Sequence, residues 1–357
     1  MSVLFRADAS AIIGSGHVMR CLTLANELKV AGENCVFVSR NTPPALADRI
    51  SQSGHELVVP QGPESRNESG VPHASWLATS WQEDAAYTSE IACRKGAVWI
   101  VVDHYAIDLD WEKKVAVSGR QIAVIDDLAD RRHCCKLLLD QNLHENPPNL
   151  YMSLIPANCQ LLLGPKYALL RPEFSKWKNE KRLFDNRVVT YLVAFSGADS
   201  ARLTRLTLEV LAKVCKSSDQ IRVVVNSNNI EFSTIQLLSA SKSYEFCVDV
   251  NNMAELMSGA DISIGAGGGM LWERAVLGVP SIAIAIAENQ KLQVAQATAF
   301  GLVLGIDLVE VNAGTLQKMV ERLRNDAELR RRMSAICRAT VDGHGAYRVA
   351  MSLLRSS

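Results

Sequence analysis

The sequence predicts an α/β protein with two Rossmann-like, doubly wound domains facing a cleft, and three observations support this fold class. The chain has 357 residues, which at about 150 residues per domain suggests two domains. Short apolar runs rich in Val and Ile alternate with helical patterns in both halves, as in successive βαβ units. A charged stretch with few apolar residues, 171–187, interrupts this alternation. Ligands of such sheets bind beyond the carboxyl ends of the strands, so we expect the site in the cleft.

The first domain is expected to span residues 1–175. A helical pattern covers 17–31, and the nearly continuous apolar run 97–103 is typical of a central strand buried on both faces. Residues 61–75 are polar and rich in turn formers, which predicts a surface loop. The predicted strands of this domain are residues 3–7, 35–39, 57–60, 97–103, 121–127 and 136–142.

The second domain is expected to span residues 186–340, after the charged linker. Its apolar runs predict strands at residues 188–196, 221–226, 246–250, 261–266 and 280–286. The pattern from 315 to 354 is helical, with an interruption near 342–345. Residues 341–357 are therefore predicted to form a C-terminal helix that crosses back to the first domain.

Composition and charge exclude several classes of protein. Hydrophobic residues make up 48% of the chain, enough for a sizeable core, so intrinsic disorder is excluded. Lys plus Arg and Asp plus Glu both number 38, and this balance argues against a nucleic-acid partner. We expect no membrane span, because no uncharged apolar run reaches about 18 residues. The nine cysteines include no Cys-x-x-Cys pair, which indicates reduced thiols, a cytoplasmic location and no metal site.

The first candidate site follows the first predicted strand. A turn containing Gly14 and Gly16 leads into the helix that carries His17 and Arg20. Unpaired backbone N–H groups at such a turn favour anions, and the positive end of the helix dipole favours the neutral imidazole that a general base requires. The spacing fits neither a Walker loop nor the dinucleotide fingerprint. The alternative is a tight βα turn with an incidental histidine.

The second candidate site lies at the end of the strand 97–103. Asp103 and Tyr105 stand where an α/β enzyme carries polar groups, although a capping Asp beside a surface histidine fits the same pattern. Asp126 and Asp127 end the next strand in a similar way. Paired carboxylates suit acid–base catalysis, and Asp127 suits a turn cap equally well.

The third candidate site is a glycine-rich loop in the second half. Gly267, Gly268 and Gly269 follow a strand, and their backbone can approach a diphosphate closely. Glu273 lies one turn into the following helix, where its carboxylate can accept both ribose hydroxyls. Gly197, after the first strand of this domain, belongs to another loop directed at the same cleft.

A fourth candidate follows the strand 280–286. Glu288 and Asn289 lie at the start of a helical pattern there. An N-terminal cap explains Asn289 equally well, so the spacing does not prove a function.

Eight motifs occur in a fixed order between about residues 3 and 305. They are RADAS-x₃-GSGHVMRCLTLA, VDHYAID, VIDDLADR-x-H, LLLDQN, LLGPKYALLRPEF, NMAELM, GAGGGMLWERAVLGVPS and AENQ. Together they resemble the PseG family, the UDP-2,4-diacetamido-2,4,6-trideoxy-β-L-altropyranose hydrolases of pseudaminic acid (nonulosonic acid) biosynthesis. The resemblance implies a GT-B-like fold, as in MurG. It also implies hydrolysis of the anomeric C–O bond of a UDP-sugar, without metal or cofactor.

The resemblance also implies roles for individual residues. His17 is expected to be the catalytic base, Tyr105 and Asn289 to lie near the sugar, and the Gly267–Gly269 loop with Glu273 to contact the nucleotide. The other substrate-binding candidates are Gly14, Gly16, Arg20, Asp103, Gly197 and Glu288. The sequence departs from the family pattern at Ser196, where a glycine is usual, and at Gly269-Met270, where small hydroxyl residues are usual.

The residues and the resemblance together predict one mechanism. His17 takes a proton from a water molecule that attacks C1 opposite UDP, which inverts the configuration. The alternatives are a GT-B glycosyltransferase that delivers the sugar to an acceptor, a UDP-sugar 2-epimerase, and a non-catalytic nucleotide-sugar-binding protein. A MurG-type enzyme is expected to carry a hydrophobic or basic patch, and residues 1–150 contain no such run. We expect a monomer or weak dimer.

Overall fold

A computed structural model describes residues 2–10, 12–60, 70–71, 73–145, 147–179, 184, 189–195, 199 and 201–356. The chain divides into two compact units. The first contains Met1–Leu170 together with His344–Ser357, and the second contains Arg171–Gly343. Each unit is built around its own parallel β-sheet.

The first unit contains a seven-stranded sheet in which every neighbouring pair is parallel. Its strands run in the order β3-β2-β1-β4-β5-β6-β7. Their bounds are β1 Ser2–Ala7, β2 Asn34–Val38, β3 Glu56–Val58, β4 Ala97–Asp103, β5 Gln121–Ile125, β6 Leu137–Asp140 and β7 Gln160–Leu163.

Helices cover both faces of this sheet and bury it in two apolar layers. One layer contains Phe5, Trp99 and Leu28, and the other contains Leu4, Ile100 and Trp111. Successive strand residues such as Leu4 and Phe5 point to opposite layers, which explains why these strands read as continuous apolar runs. The helices are α1 Gly16–Val30, α2 Pro44–Gln52, α3 Trp81–Arg94, α4 Leu109–Val115 and α5 Pro147–Tyr151.

The second unit repeats the design with a six-stranded parallel sheet in the order β10-β9-β8-β11-β12-β13. The strands are β8 Thr190–Ala194, β9 Gln220–Val225, β10 Glu245–Val248, β11 Ile262–Ala266, β12 Ser281–Ala285 and β13 Leu304–Asp307. Its helices are α6 Pro172–Trp177, α7 Leu203–Val214, α8 Phe232–Ser241, α9 Met253–Ser258, α10 Met270–Val276, α11 Glu288–Ala299, α12 Ala313–Asn325 and α13 Ala327–Thr340.

The last helix, α14 Gly345–Arg355, belongs to the first unit, although the second unit precedes it in the chain. Val349, Ala350 and Leu353 join the apolar layer that also contains residues of α1. Gly345 packs so closely that an added Cβ would lie 2.3 Å from the Ala168 carbonyl oxygen.

The structure differs from the sequence-based expectations at several elements. The chain divides after Leu170, whereas the boundary was expected after residue 175, and α6 packs on α9 and α10 of the second unit. The charged stretch is thus partly helical. Two strands were missed, β7 and β13, each of only four residues at the edge of its sheet.

Part of the predicted surface loop and linker lies outside the described residues, namely 61–69, 72, 180–183 and 185–188. Among the helices that the structure describes, none is both long enough and apolar enough to cross a bilayer.

Candidate functional site

Both sheets have the same topological switch point. The chain leaves β1 toward β2 on one side and returns to β4 on the other, and β8 is related in the same way to β9 and β11. Loops diverge at such a point and leave a crevice in which ligands bind in open α/β sheets. Most of the predicted site residues lie at the ends of β1, β4 and β11, on the loops that follow these strands or at the start of the next helix.

The turn before α1 brings His17 to the carboxyl edge of the first sheet. Gly14 has a φ of 79°, the left-handed region that glycine adopts without strain, and its N–H donates to the Ser10 carbonyl at 2.8 Å. Gly16 opens α1, and His17 is its second residue. The exposed backbone of Gly14 and Gly16 therefore lies directly beside a buried imidazole.

His17 is paired with Asp103 from the end of β4. The His17 Nδ1 atom lies 2.6 Å from Asp103 Oδ1, and the Asp103 carboxylate is fully buried. Because an ionised carboxylate only accepts hydrogen bonds, Nδ1 carries a proton, and in the neutral imidazole the lone pair is on Nε2. Burial alone would raise the pKa of Asp103, but the Arg20 guanidinium and His17 hold that pKa well below its usual range. The pair has the geometry of an oriented general base.

Arg20 joins two carboxylates. Its Nε and Nη2 atoms donate to the two oxygens of Asp103 at 2.6 and 2.7 Å, and Nη1 donates to Asp127 at 2.9 Å. Such forked contacts fix geometry as well as charge. The structure thus places Arg20 behind the His17–Asp103 pair, and the substrate contact predicted for Arg20 stays a prediction.

Tyr105 connects to the same network through Asp127. Its hydroxyl donates to Asp127 Oδ1 at 2.6 Å, and its ring is only 2% exposed. A continuous series of hydrogen bonds thus runs from Tyr105 through Asp127, Arg20 and Asp103 to His17. The sequence singled out Asp127 only as a carboxylate or turn cap, because its partners are 22 and 107 positions away.

Two aromatic residues beside this network were missed by the sequence analysis. Trp76 stacks on Tyr105 with ring centroids 5.3 Å apart and an interplanar angle of 29°. His73 lies 4.7 Å from Trp76 and 5.4 Å from Tyr105. His73 lies within the polar stretch 61–75, and Trp76 follows it directly. A single tryptophan at the end of a polar loop was the signal that could have identified this pair.

A second network of buried ion pairs and hydrogen bonds lies at the end of β1. Arg6 pairs with Asp8 at 2.8 Å and with Asp84 at 2.7 Å, and all three side chains are buried. His104 Nδ1 accepts the Ala106 N–H, so its Nε2 carries the proton toward Asp8, 3.2 Å away. Burial lowers the pKa of His104, which favours this neutral form. These contacts hold the ends of β1 and β4 together.

A third network lies beneath the loop after β5. His133 Nδ1 is 2.7 Å from Glu112, and Asp126 pairs with Arg131 at 2.8 Å. Burial opposes the charge on His133, but Glu112 and Asp126 together raise its pKa to about 9. His133 is therefore a cation held between two carboxylates at neutral pH.

In the second unit the glycine loop follows β11 at the switch point. Gly267 is buried and its N–H donates to the Ile284 carbonyl at 2.8 Å, whereas Gly269 is exposed with open space where a side chain would be. Arg274 lies under this loop and donates to the Ala266 carbonyl at 2.7 Å. Burial lowers the pKa of Arg274 to about 10. Arg274 thus anchors the residue before the glycine loop, and the space beside Gly269 is open.

The start of α11 contacts the same loop. Gln293 donates to the Gly268 carbonyl at 3.3 Å, and the Gln290 amide lies 3.3 Å from the position of a Cβ on Gly268. Asn289 is half-buried in this first turn, next to Gln290. Glu288, predicted as a substrate contact, is 85% exposed and pairs with Lys291 at 2.7 Å. The structure therefore brings the start of α11 close to the glycine loop, through Gln290 and Gln293, to which the sequence analysis gave no role. The sugar contact predicted for Asn289 stays a prediction.

Glu273 is held by an arginine from the start of the second unit. Its Oε1 atom accepts a hydrogen bond from Arg171 Nη2 at 3.2 Å, and Arg171 also pairs with Glu173 at 2.9 Å. Burial raises the pKa of Glu273, and Arg171 partly opposes that rise. The carboxylate therefore lies one turn beyond the glycine loop with a single basic partner among the ion pairs described.

Two further predictions concern the loop after β8 and the absence of a metal site. Gly197 and Ser196 lie outside the described residues. Within the ranges that the structure covers, no cluster of three or more His, Cys, Asp or Glu side chains is arranged to hold a metal ion.

Comparisons with known proteins agree with this architecture. Residues 191–344 match the glycosyltransferase family 28 C-terminal domain. The UDP-2,4-diacetamido-2,4,6-trideoxy-β-L-altropyranose hydrolase of Campylobacter jejuni is 26% identical over 293 residues, covering 82% of this chain and 94% of that protein. The predicted resemblance is confirmed. The matched residues, apart from His344, lie in the second unit.

Solved structures establish the fold. The crystal structure of Acinetobacter baumannii MurG is similar with a TM-score of 0.68 at 12% identity, over 100% of this chain and 99% of that one. A UDP-GlcNAc 2-epimerase from Neisseria meningitidis, bound to UDP-GlcNAc, gives a TM-score of 0.66 at 14% identity, over 99% and 100%. The predicted class, two Rossmann-like units as in GT-B proteins, is confirmed.

Proposed function

We propose that this protein hydrolyses UDP-2,4-diacetamido-2,4,6-trideoxy-β-L-altropyranose to UDP and the free sugar, with inversion at C1. The observation that carries the proposal is the His17–Asp103 pair, whose Nδ1–Oδ1 distance is 2.6 Å, beside an open glycine turn at a switch point. The Campylobacter jejuni relative supports the choice of substrate, because its name specifies this UDP-sugar.

In the proposed reaction His17 acts on water. As the water oxygen bonds to C1, one of its protons moves to His17 Nε2, and the electron pair of the C1–O bond leaves with the β-phosphate of UDP. Asp103 holds the imidazole in the required tautomer and stabilises the imidazolium that forms. General base catalysis of this kind contributes about 10²–10⁴ in rate.

The second unit is proposed to bind the nucleotide. The backbone N–H groups around Gly268 and Gly269 would bind the diphosphate, and Glu273, whose carboxylate accepts a hydrogen bond from Arg171, would accept the ribose hydroxyls. Donors fixed in place before the reaction stabilise the charge that develops on the departing diphosphate. The proposed hydrolysis requires no metal ion, so excess EDTA is expected to leave the rate unchanged. Asn289, beside this loop, is proposed to position the sugar.

The deciding experiment is incubation of the protein with the UDP-sugar and no acceptor in H₂¹⁸O. Release of UDP with ¹⁸O at C1 of the sugar, seen by mass spectrometry, supports hydrolysis at the anomeric carbon. The first anomer detected by proton NMR should have the configuration opposite to that of the substrate. His17→Ala should lose activity while still binding UDP.

Other outcomes would replace this proposal. UDP release that requires an added acceptor would indicate a glycosyltransferase, and return of an epimerised UDP-sugar or a glycal would indicate a 2-epimerase. Binding without turnover would indicate a nucleotide-sugar-binding protein. Near-normal turnover by His17→Ala would remove His17 from the mechanism.

A further inference from the structure

The Tyr105 ring is enclosed by neighbouring side chains. Its ring is covered by Trp76 on one side and meets the edge of His17 with ring centroids 4.7 Å apart. Its hydroxyl donates to Asp127, and only 2% of the residue is exposed. In this arrangement Tyr105 offers almost no surface to a ligand and instead supports its neighbours.

Trp76 is the partly exposed ring that covers Tyr105. It lies in the 3₁₀ turn Ala74–Trp76, and its ring also meets His17 edge-on at 6.2 Å, with an interplanar angle of 80°. One side of the indole is thus buried against Tyr105 while part of the residue remains accessible beside the proposed base.

The segment that carries Trp76 is fixed on its C-terminal side. Leu77, the next residue, is buried, and the hydroxyls of Thr79 and Ser80 both donate to Glu83 at 2.7 and 2.8 Å. Ser80 also accepts the Glu83 N–H as the N-cap of α3. The backbone shortly after Trp76 is therefore anchored by a helix cap, which favours a defined position for the turn.

His73 supports the indole from the other end of the turn. Its φ of 63° is in the left-handed region, which is strained for a residue with a side chain. Such strain persists where surrounding contacts determine the conformation, and it concentrates at functional sites. Here the His73 ring contacts both Trp76 and Tyr105.

The chemistry of the proposed sugar matches an aromatic surface. A 2,4-diacetamido-2,4,6-trideoxy pyranose carries a methyl group at C5, two acetyl methyl groups and only one ring hydroxyl besides the anomeric position. Aromatic rings provide large apolar contact area, and ligand sites combine such surfaces with few polar groups. UDP-GlcNAc, with hydroxyl groups at C4 and C6, is a poorer match.

We propose that Trp76 is a specificity-determining residue, whose accessible indole surface packs against the apolar groups of the deoxy, N-acetylated sugar. This inference rests on the proposed hydrolase function. It assigns sugar recognition in the first unit to the stacked pair Trp76–Tyr105, with Tyr105 as the supporting ring and Trp76 as the ring in contact.

The test compares Trp76→Ala and Trp76→Phe with the unchanged protein on two substrates, the diacetamido-trideoxy UDP-sugar and UDP-GlcNAc. Trp76→Ala should raise KM for the first at least about tenfold, since loss of apolar contact in a pocket costs about 10–200-fold in discrimination. Its kcat/KM for UDP-GlcNAc and its inhibition by UDP should hardly change. Trp76→Phe should restore most of the preference.

Trp81→Phe is the matched control, because Trp81 is a part-buried tryptophan of the same unit that packs against Lys114 instead of the site. A second measurement covers the case in which Trp76→Ala folds poorly. The UDP-sugar, and not UDP alone, should quench tryptophan fluorescence in the unchanged protein and in Trp81→Phe, but much less in Trp76→Phe.

Two kinds of failure are distinguishable. An unchanged KM, equal losses on both substrates, or quenching retained in Trp76→Phe would overturn the role of Trp76 and leave the hydrolase proposal intact. If the unchanged protein releases no UDP from the diacetamido-trideoxy UDP-sugar, the proposed function is overturned, and with it this inference.

Discussion

Asp103 Oδ1 lies 2.6 Å from His17 Nδ1, although the two residues are 86 positions apart in the chain. Parallel pairing of β1 with β4 brings them together, because Ala7 is in register with Asp103 and the turn after β1 leads directly into α1. The sheet thus orients the His17 imidazole, which is proposed as the general base.

Asp103→Asn should reduce kcat by about 10³–10⁴, because an amide stabilises neither the Nδ1–H tautomer nor the imidazolium. Steady-state kinetics measure this loss, and UDP affinity, measured by calorimetry, should stay within about threefold. More than a tenth of normal kcat in Asp103→Asn would contradict the role assigned to the pair.

Arg20→Met should lower kcat, because the Asp103 carboxylate loses the two hydrogen bonds that hold it against His17. Arg20→Lys should fall between the two, since one ammonium cannot reproduce the fork to Asp103 and Asp127. Steady-state kinetics measure both variants. If Arg20 binds the substrate instead, KM rises and kcat stays unchanged.

Alanine substitutions at two glycines of the second unit should differ in their effect on the unfolding temperature. A Cβ on Gly265 would lie 2.2 Å from the Ala194 carbonyl oxygen, whereas a Cβ on Gly269 would meet no atom within 4 Å. Gly265→Ala should therefore lower the unfolding temperature by several degrees, and Gly269→Ala should leave it unchanged. Gly269→Ala should weaken UDP binding, because its methyl group stands where a diphosphate would approach. Unchanged UDP affinity would exclude the outer side of Gly269 from the nucleotide site.

Arg171→Met should make UDP binding sensitive to mild acid. Burial already raises the pKa of Glu273 and Arg171 opposes that rise, so removing Arg171 raises the pKa further. The carboxylate is protonated as pH falls, and the drop in UDP affinity should then begin at a higher pH than in the unchanged protein. Calorimetric titrations at several pH values measure this, with Glu273→Gln as the pH-independent reference. Parallel curves for the two proteins would contradict the ribose assignment.

The stability of the first unit should decline in alkali. His133 has a pKa of about 9 in the folded protein, above the unfolded value of about 6.5. Its stabilisation is therefore fully present below about pH 6.5 and is lost as pH rises through about 9, by at most about 3 kcal/mol. Urea unfolding between pH 6 and 9.5 should show this slope, and His133→Gln should lack it. Equal slopes would show that His133 is neutral in the folded protein.

Sequence patterns alone predict the alternating βα order, the central strands and the loops that carry the candidate site. Apolar runs such as 97–103 and glycine turns such as Gly14–Gly16 are local patterns, and local periodicity follows directly from backbone geometry. The edge strands β7 and β13 were missed because four residues, most of them only partly buried, give too weak a pattern. The residues of α6 were read as a linker because their charge conceals a short helix packed on its own unit.

Which side chains contact one another depends on the way the chain folds. Arg20 reaches Asp127 across 107 positions, Trp76 covers Tyr105, and Arg171 pairs with Glu273 across 102 positions. Strand order and helix packing set these contacts, and a linear pattern does not encode the distance between residues that distant strands and loops bring together. The motifs therefore located the candidate site, and the fold determined the partners that orient it.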